Sequence, residues 1–161
     1  IPTLCARRAA RCGLLRARRI LWNFPRLRRS LCGAGRNAIK KHWIQYLLDE
    51  TKTKESLKKI TKIKADFYIP GHGDIVTDIE GIAELNMLAI LETEDMILDE
   101  LKTPKTMEEL LKSVADRSNI TLKTSQFCLI GSTLRSYVTG LYEAKKIEYF
   151  ITENRMLWKK L

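Results

Sequence analysis

Histidine is the scarcest chemistry-bearing residue in this 161-residue chain, which has two, His42 and His72. Residues 1 to 36 contain no acid and no lysine. No run reaches the roughly 18 uncharged apolar residues that a membrane-spanning helix needs, so no transmembrane segment is expected. Cys5, Cys12 and Cys32 have no C-x-x-C spacing and no histidine beside them, which argues against a zinc knuckle. Cys128 lies in the apolar run Phe127 to Ile130, where a buried free thiol is expected. Without a disulfide framework or a secretory apolar region, the chain reads as intracellular and cytoplasmic.

Charge divides the chain in two. Residues 1 to 36 hold ten arginines and account for the whole formal net charge of +10. From residue 37 onward nineteen basic residues face nineteen acidic ones, and only Arg117, Arg135 and Arg155 remain against sixteen lysines. Three readings stand for the front segment. An Arg-rich, acid-poor stretch fits a mitochondrial transit peptide, which would make the location mitochondrial. A block of like charge with Trp22 and Phe24 interleaved fits an arm for nucleic acid or an anionic membrane. The abrupt switch from arginine to lysine fits a disordered or non-native stretch joined to the tail of a longer protein.

Local signals sharpen after residue 50. Thr53 is placed to cap a helix with Leu57, Ile60 and Ile63 on one stripe. Phe67 to Ile69 read as a short strand that Pro70 stops, since proline lacks a ladder N–H. Gly71 and Gly73 flank His72 and let the backbone approach a bound ion closely. That strand has no partner the sequence identifies. Thr77 and Glu80 have capping-box spacing, predicting a helix from about residue 78 to Leu101, with Ile82, Leu85, Met87, Leu88, Leu91, Met96, Ile97 and Leu101 inward.

After a break at Thr103 to Thr106, a helix Met107 to Arg117 is predicted, capped by Thr106, with Met107, Leu110, Leu111 and Val114 on its apolar face. A longer helix over about Thr124 to Ala144 turns Leu134, Val138 and Leu141 inward. Lys146 to Thr152 and Arg155 to Lys159 then flank Glu153-Asn154 as strand, turn and strand.

These residues carry a family resemblance. Lys41-His42 through Asp49, Thr53 through Ile60, and Ala65 through Pro70-Gly-His-Gly73 resemble the C-terminal part of a metallo-β-lactamase-fold hydrolase, over about residues 37 to 161. The order helix, helix, helix, hairpin resembles the winged-helix domain appended to one branch of that family. The implied fold is an α/β fragment, the end of an αββα sandwich, over residues 37 to 101, followed by a mainly helical α+β winged helix over 102 to 161.

The resemblance implies that His72 is one ligand of a two-metal site, with zinc, iron or manganese as the metal. It further implies a hydroxide that attacks an ester, thioester, lactam or phosphodiester centre. The family's His-x-His-x-Asp-His signature is not found in this chain. A catalytic zinc takes about three protein ligands and a water, so the chain is expected to be inactive alone and not to retain zinc. His42 is assigned to a substrate pocket or the surface.

A winged helix raises the question of DNA. Arg135, Lys145 and Lys146 on the helix are offset by Glu143, and Arg155, Lys159 and Lys160 on the hairpin by Glu148 and Glu153. That mixed charge disfavours sequence-specific DNA binding. RNA contact and a homodimer stay open as partners. The alternative function is a non-catalytic nucleic-acid-binding module made of the basic arm and the winged helix.

Overall fold

Asp49 opens the first described helix, and its carboxylate accepts the Lys52 N–H at 2.9 Å. A computed structural model describes residues 30–34, 44–72 and 74–161. In chain order these form β1 (Ser30–Ala34), α1 (Glu50–Ile60), β2 (Ile69–His72), α2 (Glu80–Glu100), α3 (Met107–Arg117), α4 (Thr124–Glu143), β3 (Ile147–Thr152) and β4 (Arg155–Lys160). Two compact units result, one including Lys54–Met87 and β1, the other Ile44–Thr53 with Leu88–Leu161.

In the first unit β1 and β2 pair in parallel, with Ser30 opposite Ile69, Leu31 opposite Pro70 and Ala34 opposite His72. The strand expected without a partner therefore has one, and Pro70 lies inside it rather than ending it. The register slips between Leu31 and Ala34. Proline cannot donate to the ladder, and a local irregularity is how a strand accommodates it. Leu57, Ile60, Tyr68, Ile79, Ile82 and Ala83 are the buried apolar residues among those described here.

Two expected helix caps move. Thr53 lies within α1, where its hydroxyl donates to Asp49 O at 2.7 Å, and Asp49 takes the capping role. Similarly Asp78, not Thr77, accepts the Glu80 N–H at 3.0 Å as α2 begins. Aspartate and threonine can both accept orphan donors at a helix start, and in both cases an aspartate side chain accepts one.

Along α2 the buried positions include Ile82, Ala83, Asn86, Ala89, Ile90, Thr93, Glu94, Ile97 and Leu98. Leu88 and Leu91, expected to face inward, are exposed instead. The apolar count misplaces the face because polar side chains share it. Asn86 Nδ2 donates to Ile82 O at 2.8 Å and Thr93 Oγ1 to Ala89 O at 2.7 Å, so both are satisfied on their own helix and can be buried.

In the second unit Leu110, Leu111 and Val114 of α3 pack in the core with Leu134, Val138 and Leu141 of α4, as their spacing predicts. The Tyr137 phenol is pushed above its ordinary value, chiefly by burial and also by the Glu94 carboxylate, against a hydrogen bond with Thr93. Cys128 is exposed, not buried, and Phe127 and Leu129 beside it are each half exposed. All three precede Gly131, the first buried position of α4, so the apolar run faces away from the core.

Thr106 and Glu109 form a reciprocal capping box at the start of α3. The Glu109 N–H donates to Thr106 Oγ1 at 3.2 Å, and the Thr106 N–H donates to Glu109 Oε2 at 2.8 Å. The hairpin pairs Tyr149 with Trp158 and Ile151 with Met156, and turns through Glu153 and Asn154, both left-handed at φ 50 and 58. Left-handed values at both central residues define the primed turn that matches strand twist.

The segment before α1 lies along α4. Leu47 N–H donates to Thr133 Oγ1 at 3.4 Å and Glu50 N–H to Ser136 Oγ at 2.8 Å. One turn on, Gly140 leaves room for the Glu50 carboxylate, with which a Cβ would collide. Glu50 is buried and cannot swing aside freely. Gly140→Ala should therefore destabilise the protein by about 1–3 kcal/mol in urea unfolding, although glycine to alanine within a helix ordinarily stabilises. A gain in stability would contradict the close approach.

Glu109 also generates a pH prediction. The Thr106 N–H and hydroxyl, and then Arg155, hold its carboxyl below the ordinary value of 4.5. A depressed folded pKa contributes stability that is present above the unfolded value and lost as pH falls through the folded one. Glu109→Gln should thus be less stable than the parent at pH 7, and the difference should shrink toward pH 3 in parallel urea melts.

Candidate metal-ligand loop at His72

Tyr68 fixes the base of the loop that carries His72. Its ring is buried, its hydroxyl donates to Ile63 O, and the same oxygen accepts the Ala65 N–H at 3.2 Å. Its backbone exchanges two hydrogen bonds with Val76, Tyr68 N to Val76 O at 2.7 Å and Val76 N to Tyr68 O at 3.0 Å. Residues 69 to 75 are thereby closed at the base on both sides. His72 is the last residue of β2 and stands opposite Ala34 in the parallel ladder. The carboxyl end of a strand is where an α/β sheet presents ligands. Tyr68 carries no signal in the sequence beyond its aromatic character, because its role depends on contacts to Ile63, Ala65 and Val76.

The other residues singled out in the sequence fall elsewhere. His42, Cys5, Cys12, Trp22 and Phe24 lie outside the described residues, as do most of the residues on which the transit-peptide and basic-arm readings depend. Cys32 is in β1. Among the described residues no three His, Cys, Asp or Glu side chains come together to hold a metal ion. The described residues therefore do not by themselves fit a catalytic zinc, which needs about three protein ligands. No described helix is long and apolar enough to cross a membrane.

Several cations of the second unit are paired with acids. Arg117 pairs with Asp99 at 3.2 Å and Glu100 at 3.4 Å, Lys146 with Glu94 at 3.4 Å, and Arg155 with Glu109 at 2.7 Å. Lys102 first, and Arg117 with it, hold the Asp99 carboxyl below its ordinary value. A cavity of about 460 Å³ also opens in this unit, lined by Thr106, Met107, Glu108, Arg135, Arg155, Met156 and Trp158. No sequence pattern points to it, since its walls come from three separated segments.

Tyr68→Phe removes the hydroxyl that ties the loop base to Ile63 and Ala65. A loss of about 1–2 kcal/mol in urea unfolding is expected, because both backbone groups lose a part-buried partner. An unchanged midpoint would show that the hydroxyl does not anchor the loop.

No family model matches the sequence, and no curated protein sequence matches it. A solved structure does match in fold: the crystal structure of a β-lactamase domain protein from Burkholderia ambifaria, with a TM-score of 0.53 and 14% identity. The match covers 68% of this chain and 32% of that one, so this chain spans about a third of the length of its structural neighbour. With the His72 loop placed at the end of a parallel strand, the chain has the fold of part of a β-lactamase domain protein.

Proposed function

We propose that residues 37–161 are the C-terminal part of a metal-dependent hydrolase of the metallo-β-lactamase superfamily, and that His72 is one of its metal ligands. Residues 37–101 would end the catalytic domain, and residues 102–161 would be an appended winged helix. The observation that carries the reading is that His72, within the sequence Pro70-Gly-His-Gly73, ends a paired parallel strand in a chain sharing its fold with a β-lactamase domain protein.

The elements after residue 101 support the second part. Two helices and a hairpin follow α2, and Lys105 forms a bridge to Trp158 that adds a short third strand segment beside β4. Three strand segments with packed helices are what a winged helix requires. The superfamily reading implies an ester, thioester or phosphodiester substrate and zinc as the metal. In this scheme the chain positions one ligand and performs no hydrolytic step by itself.

Metal analysis of the purified chain tests the reading. After equilibration with zinc and gel filtration, far less than about one ion per chain should remain. About one or two tightly held ions would show that the chain builds a complete site and would overturn the assignment of His72 as an isolated ligand.

A further inference from the structure

We infer that the second unit binds a small organic monoanion, a carboxylate on an apolar body, in the cavity between the first turn of α3, Arg135 on α4 and Arg155 to Trp158 on β4. The cavity, about 460 Å³, lies within the range that holds small ligands. Beyond Arg36 the chain uses three arginines against sixteen lysines, and two of those three line this one cavity. The third, Arg117, is engaged by Asp99 and Glu100. A guanidinium in place of an ammonium matters where a planar group must be gripped by two parallel donors, as a carboxylate is.

The two arginines differ in how firmly they are held. Arg155 Nη2 donates to Glu109 Oε1 at 2.7 Å. Arg135 Nη2 stands 3.7 Å from Glu108 Oε1, beyond hydrogen-bond range, while its Nη1 donates to Gly131 O at 3.3 Å. A ligand carboxylate can take the place of Glu108 on Arg135 without disturbing the capping box. The Trp158 indole N–H is buried and has no acceptor among the described residues.

The rest of the lining sets the ligand's charge and body. Glu108 and Glu109 face Arg135 and Arg155 at 3.7 and 2.7 Å, so the wall is close to neutral, and a monoanion that takes the place of Glu108 adds less uncompensated charge than a phosphate dianion. Met107, Met156 and Trp158 supply two adaptable thioethers and an aromatic face, suited to an acyl or aryl group.

The test is an NMR titration of the full chain labelled with 15N, following the indole signals, with that of Trp158 assigned by Trp158→Phe. With 4-phenylbutyrate the Trp158 signal should shift saturably in the millimolar range or below. The neutral 4-phenylbutyramide should leave it in place, and inorganic phosphate should bind more weakly. Arg135→Gln with Arg155→Gln should weaken binding about tenfold or more, and Arg135→Lys, which keeps the charge but loses the fork, should weaken it as well. Both arginine side chains are more than half exposed, and thermal unfolding checks that the variants fold. The proposal fails if no saturable shift occurs, if the amide or phosphate binds as well as the carboxylate, or if folded arginine variants bind undiminished.

Discussion

Lys105 and Trp158 exchange both backbone hydrogen bonds, at 3.0 and 2.8 Å, and the second unit is arranged around that pair. It ties the link between α2 and α3 to the last strand, and Lys160 N–H to Leu101 O at 2.9 Å extends the tie. One residue after Lys105 the capping box starts α3, so the direction of that helix is set by the sheet as well as by its own apolar stripe. The Trp158 ring meets Tyr149 at 5.4 Å and Tyr142 at 5.9 Å between centroids, which joins the hairpin to α4. Each backbone bond contributes modestly, yet leaving a buried peptide group unpaired costs more than making the bond gains. The pair therefore acts mainly by excluding other placements of the hairpin.

The first unit solves a different problem. A two-stranded parallel ladder interrupted at a proline is a weak frame for a loop. Stiffness comes instead from the Tyr68 and Val76 exchange and from the tyrosine hydroxyl, both independent of the β1 ladder. His72, the last residue of β2, thus lies four residues beyond a tyrosine braced independently of that ladder.

Much of the second unit was legible in the sequence because its signals are local. Thr106, the stripe Leu110, Leu111 and Val114, and the polar Glu153-Asn154 tip each depend on neighbours within a few positions, and each is found where the pattern places it. Errors arose where two local solutions compete, as with Asp49 against Thr53 and Asp78 against Thr77. The burial of Asn86 and Thr93 misled any count of apolar residues, because their polarity is satisfied within the helix. The pairing of β1 with β2 was beyond reach: a parallel ladder joins residues far apart in sequence and leaves no pattern at either end. For the same reason Pro70-Gly-His-Gly73 could be named as the loop of interest, whereas Tyr68 as its brace could not.

Among the described residues four other than glycine hold left-handed backbone, Asn119 and Lys145 after the ends of α3 and α4, and Glu153 and Asn154 in the hairpin. After both helices the next residue closes a wide loop back to the helix, Ile120 N–H to Ala115 O and Lys146 N–H to Leu141 O, each at 2.9 Å. Those positions ordinarily favour glycine, and a lysine there costs about 1 kcal/mol in backbone conformation. The second unit folds with such concessions at three separate bends. Its packing must therefore leave a margin of free energy that selection has not been compelled to recover, and that margin is what allows a lineage to vary the surface chemistry of these bends without losing the fold.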